Sequence, residues 1–566
     1  MSLNLKLKLP HLIRFGHPLS WRDMMLILIG ASFMHLVAVF YPISPGGLGL
    51  ETAVIQINTH VHSGTVAEEL EMGVAHHHDQ SEAEAQRIPS DLDASKFPVT
   101  SIIHHAPGYT LFRNLYMSNG TLYILTDHST KFPEIRKMTS ISMFADGSSE
   151  NIAAREPTKE IMDFIDVVDA KRRWEDRVFK VEGNTILFND PSQFLRHYYH
   201  FVAELWFGVQ AFWHGAFSEQ IQDTIPVSAK AHNWNWNAYP ILSNSNHPSM
   251  YQKGDNKGIP AIDRSIFMHT TPDGWRDNPG FNSFFLRAAF PSMSVEHEQD
   301  WQDRVAATNT ISDKGRAFLF PLTLLVDRSA AFRDDMTGSH TQRTAAQAWE
   351  YMRNQGRLRG EKVGGWWHPV RNAVLSFAGL EQNVKSEPEG TLPLPTKILI
   401  TYISRQSGSR RKLTKESHQS LVQALEDLVH RRNSVYKDKL EFELIVMEAE
   451  KLTKDEQLSI ISRTTILLGP HGNGLTHLLF MSPTSLSTVI EIFYPGGFAH
   501  DYHWTSRALG MGWVGVWNDT SFTYPNEPEV AYPEGFQEDY IPVHGPEVVR
   551  VIEDIVDKHA EVMDKH

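Results

Sequence analysis

The chain has 566 residues, a length that predicts two large domains with appendages rather than a single core. Its hydrophobic content of 41% and charged content of 21% are those of a folded globular protein. The net charge of −14 argues against nucleic-acid binding, which needs a basic face, and the absence of cysteine excludes disulfides, thiolate catalysis and cysteine-ligated zinc.

Residues 24–41 form an uncharged apolar segment that is about 27 Å long as a helix, close to the thickness of a bilayer core. Basic residues precede it, and the first charge after it is Glu51. The positive-inside rule therefore predicts a type II protein with a cytoplasmic tail (1–23), a transmembrane helix (24–42) and a luminal remainder. A cleaved signal peptide is the alternative, but the charged leader of about twenty residues is long for one.

Residues 43–95 are predicted to be a flexible stem, because prolines and glycines break the chain and an acidic, histidine-rich tract follows. The His-His-His-Asp run at 76–79 could bind a metal, but such a run is more often a solvated linker, which is our interpretation. Asp91 and Asp93 have the spacing of a metal-binding Asp-x-Asp clamp. Since no strand precedes them, we interpret this match as coincidence.

An N-terminal globular domain is predicted at 96–390. Two β-rich runs, 178–181 and 185–188, flank a glycine-containing turn and predict a β-hairpin. Aromatic clusters at 233–236 and 366–368 are typical of surfaces that stack on sugar rings, although tryptophan is also ordinary core material.

A helix is predicted over 196–208, and it carries His197, His200 and Glu204. His200 and Glu204 are four residues apart and therefore lie on one helix face. A carboxylate or imidazole that faces a cleft could take the proton of a substrate hydroxyl. Alternatively, the two side chains satisfy each other inside a core, and the residues alone leave both interpretations open.

A C-terminal domain is predicted at 391–545, after a proline-rich hinge at 391–395. From residue 397 onward, apolar runs and amphipathic stretches alternate, which predicts a doubly wound α/β domain. The predicted strands are 398–403, 440–447, 465–468, 488–493 and 512–517. Helices are predicted at 421–429 and 501–509, after a capping box at Thr453, and after residue 474. A final amphipathic helix is predicted within 546–566.

Residues 469–477 read Gly-Pro-His-Gly-Asn-Gly-Leu-Thr-His and lie where a strand turns into a helix. Backbone N–H groups and the helix dipole favour an anion at such a position, and glycine lets a ligand approach the main chain. Another strand end is followed by the loop 404–411, which contains three arginines, and a third strand carries Glu491. The pattern predicts a phosphate-bearing ligand at the carboxyl edge of a parallel sheet, held between these two loops.

The segments 403–411, 469–476 and 489–491 together resemble the C-terminal half of glycosyltransferase family 61, and the segment with His200 and Glu204 resembles a motif of its N-terminal half. The resemblance covers roughly residues 190–530 and is more specific than a lone glycine-rich loop. The family includes plant xylan arabinosyl- and xylosyltransferases and animal enzymes that add N-acetylglucosamine to O-mannose or to serine and threonine. Its usual motif has alanine at position 473 and asparagine at position 477, where this chain has asparagine and histidine.

The resemblance implies an α/β fold with two Rossmann-like domains of the GT-B type, behind the transmembrane helix and stem. It implies inverting transfer of a pentose or an N-acetylglucosamine-class sugar from a UDP-sugar to a glycan or glycoprotein, at the Golgi or endoplasmic reticulum membrane. The final helix, 546–566, is expected to pack back on the first domain. No cofactor is required by the sequence, and dependence on Mn²⁺ is left open.

The resemblance also implies roles for individual residues. The expected donor-binding residues are Ser404, Arg405, Arg410, Arg411, Gly472, Asn473, Gly474, Leu475, Thr476 and Glu491, and the expected catalytic residues are Glu204, His200 and His471. The arginines can stabilise a diphosphate leaving group without a metal, since a guanidinium matches phosphate oxygens. Each position also has an ordinary structural interpretation, such as a solvated loop for the arginines, a turn residue for His471 and a buried carboxylate for Glu491.

Two other classes of function are considered. A catalytically inactive protein of the same fold would bind sugar nucleotides or glycans without turnover. A soluble nucleotide-dependent enzyme would not enter the secretory lumen, where Asn119 and Asn518 are acceptors for N-glycosylation by their sequence context.

Overall fold

The computed structural model describes residues 97–218, 259–309, 314–358, 364–380, 395, 397–408, 410–435, 440–537 and 540–563. These residues fall within one compact unit, Arg87–His566. The expected tail, transmembrane helix and stem, the aromatic cluster at 233–236 and most of the hinge lie outside the described residues. Within the described residues, no helix combines the length and apolar character that a bilayer crossing needs.

The first half is built on a mixed nine-stranded sheet. Its strands are β1 (Ser101–Ala106), β2 (Tyr109–Ser118), β3 (Thr121–Leu125), β4 (Met162–Ile165), β5 (Val178–Lys180), β6 (Asn184–Pro191), β7 (Arg264–His269), β8 (Ser294–Glu296) and β9 (Ala317–Val326). The order is β4-β3-β2-β9-β6-β7-β8, with β1 on β2 and β5 on β9. The block β9-β6-β7-β8 is parallel, whereas β2 is antiparallel to each of the strands with which it pairs, β1, β3 and β9.

Helices cover this sheet and connect its strands. They are α1 (Ile135–Met138), α2 (Ser149–Ala154), α3 (Val167–Trp174), α4 (Phe207–Phe217), α5 (Phe281–Ala289), α6 (Glu298–Thr308), α7 (Arg328–Ala331), α8 (Thr344–Asn354) and α9 (His368–Phe377). A π-helix, Tyr199–Trp206, leads directly into α4. Short π segments are frequent at functional sites because they displace side chains from the regular helical positions.

The predicted hairpin at 178–188 was wrong. Both β5 and β6 pair in parallel with β9, at successive positions along it, so the chain does not reverse between them. Val181 continues the pairing with β9 by donating its N–H to Leu319 O at 2.8 Å. The interruption between β5 and β6 contains Gly183, whose φ is +91°. A hairpin and an interrupted parallel strand have the same local sequence signals, and only the distant partner strand distinguishes them.

The second half is a six-stranded sheet in the order β11-β10-β12-β13-β14-β15. Its strands are β10 (Lys397–Ile403), β11 (Glu441–Met447), β12 (Ile466–Pro470), β13 (Thr488–Ile492), β14 (Gly512–Trp517) and β15 (Thr520–Phe522). Only β15 is antiparallel to its neighbour. Its helices are α10 (Lys415–Val435), α11 (Lys454–Ile461), α12 (Asp501–Ala508) and α13 (Gly545–Met563). The chain moves from β10 to β11 on one side and returns to β12 on the other, so the doubly wound prediction is confirmed and a topological switch point lies between β10 and β12.

Two local predictions in this half can be compared with the structure. Thr453 caps α11, and Glu456 completes the capping box, as predicted. The helix expected after the glycine-rich turn is a 3₁₀-helix, Asn473–Phe480.

The expectation that the final helix packs on the first domain was wrong for the side chains described. Val548 and Ile552 of α13 belong to the apolar core that α10 builds with Leu421 and Leu425. At the same interface, Arg432 donates to both carboxylate oxygens of Asp557, at 2.8 and 2.9 Å. The apolar stripe of α13 is therefore covered by its own half.

A shared hydrophobic core joins the two sheets. Trp366 and Trp367 belong to it and are almost completely buried, so they are not a sugar-stacking surface. Trp367 Nε1 donates to Leu479 O at 2.9 Å, across the two halves. Phe207 meets Trp504 edge-to-face at 5.8 Å. The predicted boundary at 390/391 lies outside the described residues, and these contacts hold the two halves together on either side of it.

Candidate active site

The loop 404–411 and the glycine-rich turn meet at the switch point of the second sheet. They follow β10 and β12, which are neighbouring strands. Gly472 has φ +147°, and a Cβ at this position would lie 2.5 Å from Arg405 Nη1 and 3.2 Å from Arg411 Nη1. Both guanidinium groups therefore lie against the main chain of Gly472, which carries no side chain to keep them away.

The two arginines are held by main-chain contacts of the loops themselves. Arg411, in the left-handed region at φ +55°, donates to His471 O at 3.2 Å and to the Gln537 side chain. Arg405 Nε donates to the carbonyl of Arg410 at 3.2 Å. The side chain of Arg410 is exposed, and Arg410 contacts Arg405 through its backbone carbonyl.

His471 and Glu491 form a buried pair at the same sheet edge. His471 Nδ1 lies 2.5 Å from Glu491 Oε1, and the indole N–H of Trp513 donates to Glu491 Oε2 at 2.9 Å. Burial raises the pKa of Glu491, although the contacts with His471 and Trp513 oppose that rise. Because both carboxylate oxygens have partners inside the protein, Glu491 orients His471 and is not placed to receive ribose hydroxyls.

The remaining expected donor-binding residues turn their side chains inward. Ser404 is buried and its hydroxyl accepts the Gln406 N–H at 3.5 Å. Leu475 and Thr476 are buried as well. Asn473 Oδ1 accepts the backbone N–H of Tyr199 at 3.1 Å, so this side chain connects the turn to the π-helix of the first half. What the turn offers a ligand is the main chain at Gly472 and the first amides of the 3₁₀-helix, where an N–H has no acceptor within the helix.

The π-helix brings His200 and Glu204 together. Glu204 Oε2 accepts from His200 Nδ1 at 2.7 Å and from Arg328 Nη1 at 2.8 Å, and Oε1 accepts the Thr344 N–H at 3.0 Å. Glu204 is completely buried. Burial alone raises its pKa, but the charge of Arg328 and the hydrogen bond from His200 hold the pKa well below its usual value. Glu204 is thus an ionised carboxylate enclosed by donors.

His200 is oriented by this contact. A carboxylate only accepts, so the proton lies on Nδ1 and the Nε2 lone pair points away from Glu204. The ring is 19% exposed and lines a cavity of about 360 Å³ at the carboxyl ends of β6 and β9. The imidazole therefore has the geometry of a general base supported by a carboxylate.

A buried ion pair, Arg343 with Asp501, is close enough to both histidine–glutamate pairs to interact with them electrostatically. Burial raises the pKa of Asp501, but the charges of Arg343, His471 and His200 lower it overall. The Tyr199 hydroxyl donates to Asp501 O at 2.9 Å, which ties the π-helix to α12. His200 and His471 therefore share one electrostatic environment although they come from different halves.

Sequence analysis missed Arg328, Arg343 and Asp501. Arg328 was within reach, because it comes just after β9, and residues at the carboxyl ends of parallel strands commonly form sites. No local sequence pattern indicated Arg343 or Asp501, because the two residues pair with each other and lie 158 positions apart in the chain. Among the described residues, no group of three or more carboxylate and histidine side chains could hold a metal ion, and the tract at 76–79 lies outside them.

The sequence of this chain is similar to those of known glycosyltransferases. The sequence profile described as Glycosyltransferase 61 matches residues 198–490, just over half of the chain. An EGF domain-specific O-linked N-acetylglucosamine transferase of Drosophila melanogaster is 30% identical over 143 residues. That alignment covers 25% of this chain and 24% of the relative, so the chain spans about a quarter of the relative's length. The profile match includes both the π-helix with His200 and Glu204 and the glycine-rich turn, and the chain belongs to glycosyltransferase family 61.

Proposed function

We propose that this protein is an inverting glycosyltransferase that moves a sugar from a UDP-sugar to a hydroxyl of a glycan or glycoprotein. The observation that carries the proposal is the meeting of Arg405 and Arg411 with bare main chain at Gly472, at the switch point of a doubly wound sheet. Family membership supports the same chemistry. The two mixed sheets are consistent with two Rossmann-like domains, and GT-B is the arrangement that we propose for them.

The donor's diphosphate lies in this proposal between the two arginines and the amides at the head of the 3₁₀-helix. Two guanidinium groups offer forked donors to phosphate oxygens, and the main chain at Gly472 adds N–H groups at short range. As the bond between the anomeric carbon and the phosphate breaks, negative charge grows on the leaving UDP. Positive groups already in place stabilise that charge without reorganisation. His471, which Glu491 orients, adjoins this place through its carbonyl oxygen, which accepts from Arg411.

His200 is the proposed base and Glu204 its positioning residue. The acceptor hydroxyl gives its proton to His200 Nε2 while its oxygen attacks the anomeric carbon from the face opposite UDP. The new glycosidic bond forms, the bond to the β-phosphate breaks, and the configuration inverts. Glu204 stabilises the imidazolium that results, because its buried carboxylate lies 2.7 Å from Nδ1.

The setting of the reaction belongs to the proposal as well. An apolar segment at 24–42 after a basic leader supports single-pass type II insertion, with the catalytic part in the lumen of the Golgi or endoplasmic reticulum. The donor sugar is of the pentose or N-acetylglucosamine class, and a requirement for Mn²⁺ is decided by adding EDTA to the assay. The second candidate is an inactive protein of the same fold that only binds sugar nucleotides or glycans.

The test is hydrolysis and transfer by the full-length protein with a panel of UDP-sugars. We expect one UDP-sugar to be turned over and UDP to raise the melting temperature. The Arg405→Ala and His471→Ala variants should lose turnover while remaining folded. Thermal stabilisation by UDP-sugars without any turnover would establish the inactive binding protein instead, and wild-type turnover in both variants would remove the donor-site assignment.

A further inference from the structure

The cavity beside His200 contains polar atoms for which the protein provides no partner. Asp190, near the end of β6, is 4% exposed. Its Oδ1 accepts the Arg328 N–H at 2.9 Å, but its Oδ2 is buried and has no hydrogen-bond partner. The hydroxyl of Tyr109, on β2, is completely buried; the Thr344 side chain lies near it, but the two form no well-aligned hydrogen bond. Both residues line the cavity together with His200.

Buried polar groups are normally satisfied, so two unmatched ones in a cavity indicate a ligand that completes them. The carboxyl group of Asp190 is also poised between two states. Burial, with the nearby charge of Asp327, raises the pKa of Asp190 to about 7, so near neutral pH the group exists both as a donor and as an acceptor. Tyr109 offers one O–H. Hydroxyl groups of a ligand, which both donate and accept, are matched to such a pair.

The rest of the cavity wall is largely apolar. Leu195, Leu205 and Val326 line it, and Phe194 presents a ring that also contacts His200 at 5.1 Å between centroids. A volume of about 360 Å³ lies at the small end of the range for ligand pockets. An apolar wall with a few convergent polar atoms, in a space of this size, suits a single sugar ring, which has C–H faces and several hydroxyl groups.

Resting on the proposed function, we infer that this cavity is the subsite for an acceptor sugar whose attacking hydroxyl meets His200, and that Asp190 and Tyr109 determine specificity by binding its other ring hydroxyls. The acceptor group is therefore a glycan hydroxyl. A serine or threonine side chain brings only one hydroxyl, which His200 uses, and leaves Asp190 and Tyr109 unmatched.

The test compares Tyr109→Phe with Tyr116→Phe in the full-length protein. Both tyrosines are buried on β2, but the Tyr116 hydroxyl donates to Pro98 O at 2.8 Å. Transfer from the UDP-sugar found in the hydrolysis panel is measured on an array of neutral glycans and on serine- and threonine-containing peptides. KM values for donor and acceptor are then determined separately, with melting temperatures of each variant.

We expect transfer to a glycan. Tyr109→Phe should raise the KM for that glycan about fivefold more than the KM for the UDP-sugar, because a fivefold change corresponds to the loss of one hydrogen bond. Its melting temperature should change little, because the deleted hydroxyl makes no well-aligned hydrogen bond. Tyr116→Phe should lower the melting temperature and leave the acceptor KM unchanged. Asp190→Asn retains an oxygen for the Arg328 N–H and should change which array glycans are preferred.

Three outcomes overturn the inference. Transfer to peptides with no response to Tyr109→Phe assigns the acceptor to protein hydroxyls. A larger effect of Tyr109→Phe on the UDP-sugar KM assigns the cavity to the donor's own sugar. UDP-sugar hydrolysis without transfer to any array glycan removes the glycan subsite but leaves the donor chemistry intact. The absence of both hydrolysis and transfer is different, since it removes the proposed function itself.

Discussion

His200 Nδ1 lies 2.7 Å from Glu204 Oε2, and this contact separates the roles of two side chains that the sequence left interchangeable. Glu204 is enclosed by His200, Arg328 and Thr344, and its pKa is held far below the usual value, so it cannot pick up a substrate proton near neutral pH. His200 borders the cavity. The imidazole, rather than the carboxylate, is therefore the group that we propose as the base.

Replacing the base should reduce turnover strongly. We expect His200→Ala to lower kcat about 100-fold or more, which is the usual contribution of a positioned general base. The exposed His128 of the first half offers a control, and His128→Ala should retain wild-type kcat. The measurement is steady-state transfer, together with calorimetry of UDP binding to show that the donor site survives. Equal kcat values for both variants would exclude His200 as the base.

The donor arginines should not be equivalent. Charge-assisted hydrogen bonds to phosphate contribute about 1.5–3 kcal/mol each, so Arg405→Ala and Arg411→Ala should weaken UDP binding roughly 10- to 100-fold. Arg410→Ala is the matched control, since its side chain is exposed and only its carbonyl contacts Arg405. Isothermal titration with UDP measures all three. An equal loss of affinity in Arg410→Ala would contradict the placement of its side chain outside the site.

Asn473 should affect stability more than donor binding. Its Oδ1 accepts the Tyr199 N–H, which connects the glycine-rich turn to the π-helix. Removal of this bond in Asn473→Ala should cost about 1 kcal/mol in the free energy of unfolding. The Kd for UDP should stay close to that of the wild type. Urea titration and calorimetry separate the two effects, and a large rise in Kd without loss of stability would return Asn473 to the donor-binding residues.

Asp190 should make stability depend on pH. Its folded-state pKa, about 7, lies above the ordinary value of 3.8, so the folded state binds the proton more tightly than the unfolded chain does. The stability that this group contributes is fully present below about pH 4 and is lost as the pH rises through 7. Asp190→Asn removes this dependence, so the variant should gain on the wild type between pH 5 and pH 8. If the difference in unfolding free energy between Asp190→Asn and the wild type is the same at pH 5 and at pH 8, the raised pKa is contradicted.

The proposed luminal location predicts glycosylation. Asn119 lies at the turn between β2 and β3 and Asn518 at the turn between β14 and β15, and both side chains are exposed, so a glycan fits at either site without disturbing the core. Full-length protein from eukaryotic cells should lose mass on treatment with an N-glycosidase. The double variant Asn119→Gln, Asn518→Gln should abolish that loss. No mass change in the wild type would argue against exposure of this part of the chain to the lumen.

Much of the second half was predictable from the sequence. The strands β10 to β14, the capped helix α11 and the position of the glycine-rich turn follow from local apolar patterns and turn chemistry, which act over a few residues. The carboxyl ends of neighbouring parallel strands lie at one edge of a sheet, so the arginine loop and the turn were expected to meet as soon as both strands were recognised.

The two wrong predictions, the hairpin and the packing of the final helix, have a different cause: both depend on contacts with residues far away in the chain. The partner of β5 and β6 is β9, more than a hundred positions away, and no pattern within 178–188 reports it. The final helix has an apolar stripe in its sequence, but the surface that covers it is α10.

The sequence by itself determined the class of fold in the second half and the family, and it predicted the chemistry of the proposed donor site. Only the tertiary structure decided that His200 and not Glu204 borders the cavity, that Asp190 and Tyr109 line the same cavity, and that Asn473 connects the two halves. The physical reason is that burial and hydrogen-bond partners set the charge and reach of a side chain. For Glu204 those partners include Arg328 and Thr344, which only the folded chain brings to it.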